Sequence, residues 1–499
     1  MVTIFQSLAY GFQVALQPLN LLHCFFGVLV GTLVGVLPGL GPGAAIALLL
    51  PVTFHVNPVS ASIMLAGIYY GAMYGGSTTS ILVNIPGESA SVVTCLDGHQ
   101  MALKGRAGPA LGIAAFGSFI AGTFAVIALT FVGPLLAGIA LEFGPPEYFG
   151  MMIVGITVLT YLSSGSMVKA LIMAGVGLML SGVGMDTISG KYRFSFGIPS
   201  LLDGITLVPV AMGLFGIAEV LSNLETEIKR SILTTPLQNL FPTRKDWADS
   251  IGAILRGAVL GFLLGIVPGG GAIVASFASY AVEKKMSKHP EEFGKGAIAG
   301  VAGPEAANNA GAGSSFIPLL TLGIPSNGVM AIFLGALMIH GLQPGPLLMT
   351  KAPDLFWGTI VSVYIGNGML LVLNLPLIPM WVKVLKVPYY LLYPLILLFC
   401  LIGSYSIEND VADVITMLIF GLLGFLTKKF RYEGAPLILA LVLGQRLETS
   451  FRRSLIMSRG DFSIFVTRPI SLGFLIVAVL LLIVPIITQR KKLATLKEE

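Results

Sequence analysis

Residues 27–41 read GVLVGTLVGVLPGLG and residues 257–271 read GAVLGFLLGIVPGGG. Superposed, Gly27, Gly31, Gly35, Pro38, Gly39 and Gly41 fall on Gly257, Gly261, Gly265, Pro268, Gly269 and Gly271, every pair 230 positions apart. Six matches in one fixed order mark an internal repeat, even in a chain with 61 glycines. Further along, Asn84-Ile85-Pro86-Gly87 faces Gly323-Ile324-Pro325-Ser326 at an offset of 239, and Pro134, Pro146 and Tyr148 match Pro376, Pro388 and Tyr390 at 242. The slow drift is what small insertions produce. The chain is therefore expected to divide into a first transmembrane repeat (1–225), a charged cytoplasmic linker (226–250), a second transmembrane repeat (251–452) and an extension (453–499) with one more transmembrane helix.

Composition fixes the environment of these repeats. Only 11% of the 499 residues are charged and 55% are hydrophobic, whereas a soluble domain carries about a quarter charged residues. The first charge is Glu88. Charge-free runs recur at 107–141, 204–218, 257–282, 355–382, 387–407 and 469–489, each able to cross or enter a hydrocarbon core about 30 Å thick. A soluble enzyme and a nucleic-acid binder are excluded. Met1 is not followed by a basic segment, so residues 1–20 are expected to be retained rather than cleaved as a signal peptide. The net charge of +5 lies in short clusters between apolar runs, a topology signal.

Equivalent loops carry opposite charge. Glu142 and Glu147 stand where the second repeat has Lys383 and Lys386, and Lys169 stands where it has Glu408, Asp410 and Asp413. Basic loops favour the cytoplasm, so the swap predicts inverted repeats. Arg446, Arg452, Arg453, Arg459 and Arg468 run against that pattern. The expected fold is an all-α polytopic membrane protein of two pseudo-symmetric, inverted repeats with broken or re-entrant helices and roughly ten to twelve spans.

The glycine stripes read as close helix packing. The breaks that follow them, with Gly39, Gly41, Gly43, Gly269, Gly270 and Gly271, free backbone groups inside charge-free segments. Such backbone is either a surface turn or the lining of a cavity. More informative are Ser77, Thr78, Thr79, Asn84, Pro86, Gly87 and Ser89 in one repeat and Asn308, Asn309, Ser314, Ser315, Pro325, Ser326 and Asn327 in the other. Their hydroxyls and amides can ligate a sodium ion or hold a carboxylate, and helix N-termini freed after Pro86 and Pro325 favour an anion. The competing reading is interhelical hydrogen bonding. Glu305 is the only charge between Lys295 and Lys351. Either it sits where its helix meets the membrane surface, or it is an ion ligand or proton carrier.

Other chemistry lacks an anchor. The five histidines have no metal-ligand spacing, Cys24, Cys95 and Cys400 fit neither a disulfide framework nor a zinc site, and no phosphate-binding loop or nucleophile elbow is present. No enzyme activity, no cofactor and no metal beyond a coupling sodium ion is expected.

Residues 36–43 (VLPGLGPG), 74–88 (YGGSTTSILVNIPGE), 304–310 (PEAANNA) and 322–325 (LGIP) resemble the large membrane (permease) subunit of the bacterial tripartite tricarboxylate transporters. The resemblance covers nearly the whole chain. It implies carboxylate uptake across the inner membrane by symport with a cation, with substrate delivered by a periplasmic binding protein and a small four-span membrane subunit as partner. The reading from another class is an uncoupled membrane scaffold or channel-like component.

Overall fold

The computed structural model describes residues 4–37, 41–161, 166–225, 240–267, 271–385, 387 and 389–498. Helices Ile4–Ala15 (α1), Pro18–Val36 (α2), Pro42–Thr53 (α3) and Pro58–Val83 (α4) come first. Proline opens the last three, where its missing N–H is not needed and its fixed φ suits a helix start. A 3-10 turn, Ser89–Ser91, leads into Val92–Leu103 (α5), Ala107–Ala140 (α6), Pro145–Tyr161 (α7) and Met167–Ser181 (α8). An antiparallel hairpin pairs Gly184–Met185 with Tyr192–Arg193. Leu207–Ala211 (α9) and Ala218–Glu225 (α10) are joined through a π-helical turn.

The chain continues with Arg244–Ile266 (α11), Gly271–Met286 (α12), Ala299–Ser314 (α13), Phe316–Leu322 (α14), Gly328–Ile339 (α15), Leu348–Lys351 (α16) and Pro353–Asn374 (α17). Ile378–Leu385 (α18), Tyr389–Glu408 (α19), Val411–Lys429 (α20), Gly434–Met457 (α21), Ile464–Thr467 (α22) and Pro469–Glu498 (α23) complete it. Two of the expected boundaries fall inside helices. Residues 244–250 already belong to α11, because Thr243 and Asp246 form a capping box, and α21 runs through 452 to Met457. Of the expected linker, 226–239 lies outside the described residues, as do Gly39, Gly269, Gly270 and Lys386.

Among the described residues, six helices are long and apolar enough to cross a membrane: α2, α6, the α9–α10 rod, α11, α17 and α20; several shorter apolar helices accompany them. The outward faces carry exposed Phe131, Leu135, Phe399, Leu418 and Leu422, while Ser77, Thr78, Asn308 and Asn309 are buried. That is the inverse of a soluble protein and suits a lipid surround. α4, with 26 residues, is buried on nearly every face.

Two helix pairs form the centre. α2 and α4 run parallel, since Ser60 bonds Asn20 near their starts (2.5 Å) and Thr79 donates to the Val36 carbonyl near their ends (2.6 Å). At Gly27, Gly31 and Gly35 a Cβ would collide with the carbonyls of Met64, Ile68 and Ala72, so glycine sets the distance between these backbones. α11 and α13 repeat the arrangement, with Gly257, Gly261 and Gly265 against Gly303, Ala307 and Gly311. The pairs oppose each other. Tyr70 of α4 lies against Gly313 of α13, Ser77 bonds Glu305, and Ile81 and Val301 meet around Gly98, so α13 runs antiparallel to α4.

The long helices cross over. α6, from the first part of the chain, packs on α11 and α13, while α17, from the second, packs on α2 and α4. Ser62 and Thr359 hydroxyls lie 2.7 Å apart, and Tyr74 donates to Asn367 at 2.6 Å.

Candidate functional site

The site lies where α4 and α13 cross. Glu305 is 0% exposed and Glu88 6%. Ser77 Oγ donates to Glu305 Oε2 at 2.6 Å, and the Thr94 hydroxyl donates to Oε1. Glu88 caps the turn that opens α5, accepting the Ala90 N–H while its own N–H reaches Ser91 Oγ at 3.4 Å. Its other oxygen accepts from Asn308 Nδ2 at 3.3 Å, and Glu88 is near enough to Glu305 to feel its charge. Among the described residues neither carboxylate has a salt-bridge partner. A buried ionised carboxylate without a cation costs many kcal/mol, so this pair has to hold a proton or a cation. Asn308 Oδ1, buried and without a partner among the described residues, is a further oxygen facing the same region.

Half-length helices radiate from this level. α12 starts at Gly271, whose Cβ position is 3.6 Å from Asn327 Cβ; Asn327 in turn caps α15, accepting the Met330 N–H at 2.9 Å. Gly43, in the first turn of α3, faces Val329 and Ile332 in the first turns of α15. The N-termini of α3, α12 and α15 thus lie together, and their unpaired N–H groups and dipoles favour an anion. Asn327 Nδ2 donates to Tyr69 Oη and Ser315 Oγ, both at 3.3 Å. Ser326 Oγ is buried and has no partner among the described residues.

Of the residues expected from sequence, Ser77, Glu305, Asn308, Ser315, Ser326 and Asn327 gather here. Thr78 lines a narrow crevice beside them with Tyr74, Ser118 and Asn374. Thr79 serves the α2–α4 seam, and Ser314 lies within reach of the Gly261 and Gly311 carbonyls at 3.5 and 3.3 Å. Asn309 bonds Ser118 at 2.7 Å. Pro86 and Gly87 turn the chain back along α4, Gly87 pressing on the Gly35 carbonyl. Asn84 and Ser89 are exposed. Asn84 ends α4 in the left-handed conformation, φ 58°, and Gly323 ends α14 in the same way, φ 71°. The backbone explains that asparagine.

Sequence reading missed Thr94, Tyr69 and Asp97. Asp97 is wholly buried and accepts the N–H groups of Gly294, Gly296 and Ala297 on one oxygen (2.9, 2.7 and 2.8 Å) and the Tyr280 hydroxyl on the other (2.9 Å). It fastens α5 to the loop before α13. An isolated acid beside His-Gln in a mixed helix gives no sequence signal for that role.

A family model described as the tripartite tricarboxylate transporter TctA family matches residues 21–439. An uncharacterized 52.8 kDa protein in the TAR-I ttuC' 3' region of Agrobacterium vitis is 51% identical over the whole of both chains. An uncharacterized protein in the TAR-II ttuC' 3' region of the same organism is 53% identical over 234 residues, covering 46% of this chain and 97% of that one. No solved structure matches the chain.

Proposed function

The chain belongs to the TctA family of tripartite tricarboxylate transporters, and from that premise we propose that it is the permease through which a di- or tricarboxylate enters the cell by symport with sodium ions or protons. Membership makes it a multi-pass membrane component of a tricarboxylate transporter system that has other subunits. We take those to be a periplasmic binding protein and a small four-span membrane subunit, and the membrane to be the bacterial inner one.

One observation carries the coupling: two buried carboxylates without cationic partners adjoin three convergent helix N-termini. The first group attracts a cation or proton, and the second attracts an anion. A cation held at Glu88 and Glu305 would make the neighbouring space more favourable for an anion, which is the thermodynamic content of symport. The opposed helix pairs support inverted repeats of ten to twelve spans, 1–225 and 251–452, with the site near the midplane. Lys104, Arg106, Arg244, Lys245 and Lys295 cluster where α4 ends and α11 and α13 begin, which favours a cytoplasmic position for that end and for the 226–250 linker.

Reconstituted chain, with its binding protein and small subunit, is expected to accumulate radiolabelled citrate or succinate under an imposed sodium or proton gradient, and to ignore enclosed ATP. Accumulation only with ATP would overturn the reading, and gradient-independent equilibration would favour a channel-like component.

A further inference from the structure

Arg446 differs from the other arginines at its end of the molecule, which are either paired or, like Arg453 and Arg459, exposed. Arg193 makes a two-pronged pair with Glu448 (2.8 and 3.0 Å), Arg452 reaches Asp186 at 2.8 Å, and Arg468 lies 3.3 Å from Glu147. The hydroxyl of Ser189 and the guanidinium of Arg452 hold Asp186 well below the usual carboxylate range. Arg446 is partly buried on α21, and among the described residues it has neither an acidic partner nor a hydrogen bond. Its neighbour in charge is the neutral Tyr148 of α7.

The location of this free guanidinium is informative. One Nη lies 3.2 Å from where a Cβ on Gly323 would stand, directly against the second break. One turn earlier on α21, Leu443 and the break residue Ile324 both pack on Gly155, so α7, α21 and the break form one wall. Capping of α14 would be the ordinary job for an arginine here. Three carbonyls at this end, Pro318, Leu319 and Leu320, already accept the N–H groups of Ile324, Gly323 and Gly345 at 3.2, 3.1 and 3.3 Å, and among the described residues no hydrogen bond joins Arg446 to the α14 C-terminus. In the same break the Ser326 hydroxyl is buried without a partner among the described residues.

We infer that Arg446 is a binding residue for one carboxylate of a polycarboxylate. The inference rests on the carboxylate reading above and deepens it. The planar guanidinium offers two parallel N–H bonds to a carboxylate, and the N-termini of α12 and α15, on the far side of the same five-residue break, receive a second. Two anion-binding groups flanking one break select di- and tricarboxylates over monocarboxylates, because only the former satisfy both at once.

The test is phenylglyoxal labelling of the full-length chain in membranes, read at Arg446 by peptide mass spectrometry. Arg446 is expected to react, and citrate or succinate to reduce its labelling about tenfold, as a charge-assisted two-pronged contact implies; acetate protects far less, and paired Arg193 is unaffected by any of them. Labelling that citrate and succinate leave unchanged, or an Arg446 that does not react, overturns the inference. On purified chain, R446Q is expected to lose citrate affinity at an unchanged melting temperature, with R446K retaining most of it. R446Q that binds like the parent is a second overturning result. Should R446Q not fold, protection of the parent decides. Gradient-driven uptake without protection sinks only the role of Arg446, whereas protection without gradient-driven uptake leaves Arg446 standing and sinks the coupling.

Discussion

The breaks at 84–88 and 323–327 share a backbone and differ in charge. Each opens with a left-handed residue, Asn84 or Gly323, passes through Ile-Pro and ends on an extended residue, Glu88 (φ −144°) or Asn327 (φ −154°), that caps the next helix. Glu88 faces Gly76, Asn308 and Glu305; Asn327 faces Tyr69 and Ser315. One scaffold thus holds an ionisable cap beside Gly76 and Asn308 and a neutral amide about two turns along the same faces of α4 and α13, beside Tyr69 and Ser315. On the proposed symport reading, the difference gives cation chemistry to the first break and anion chemistry to the second.

The largest effect is expected at Glu305. Glu305→Gln keeps the shape and one of the two hydroxyl donations from Ser77 and Thr94, with the other hydroxyl turned to accept from the amide, but removes the titratable charge. Gradient-driven accumulation should fall more than about 100-fold, ~2.7 kcal/mol, while exchange of substrate across the membrane persists. Retained accumulation in proteoliposomes would move the coupling site elsewhere. Next, Gly31→Ala and Gly261→Ala each force a Cβ into a facing backbone, at Ile68 and Ala307. Each should cost about 1–3 kcal/mol in stability, and by similar amounts; a large asymmetry in thermal melts would mean that the two pairs are not equivalent in packing.

Asn327→Asp turns the second cap into a copy of the first. Citrate affinity should drop about tenfold, ~1.4 kcal/mol, through like-charge repulsion, whereas Glu88→Asn keeps the cap and should leave affinity nearly unchanged while altering the ion dependence of uptake. Equal effects on affinity would dissolve the division of labour. The smallest effect belongs to Asn84→Gly, which only reproduces the Gly323 solution to a left-handed φ. Stability and uptake should change by less than about 0.5 kcal/mol, and a large loss of substrate affinity would restore the Asn84 side chain to the site.

Much of this was legible in the chain. Glycine periodicity marked both close pairs because a backbone-to-backbone contact admits no other residue, and Glu305 was conspicuous because its surroundings lack charge. Thr94 was invisible, since its bond spans 211 positions and its helix, VVTCLDGHQ, reads as ordinary amphipathic sequence. Asn84 carries two signals: an amide before Ile-Pro looks like a ligand, and its left-handed φ accounts for the residue without one. The arginines after residue 445 contradicted the charge pattern until Asp186 and Glu147, distant in sequence, appeared beside two of them, Arg452 and Arg468.

The exchange of α6 and α17 has a consequence for synthesis. The ribosome finishes α6 more than a hundred residues before α11 and α13, the surfaces that cover it, exist. Through that interval the small-residue face of α6 is held by lipid or by helpers of insertion, and α2 and α4 likewise wait for α17. Maturation is therefore expected to end in a late closing event rather than in the docking of two finished halves. Fragments severed in the 226–239 stretch would be short-lived when made singly and durable when made together.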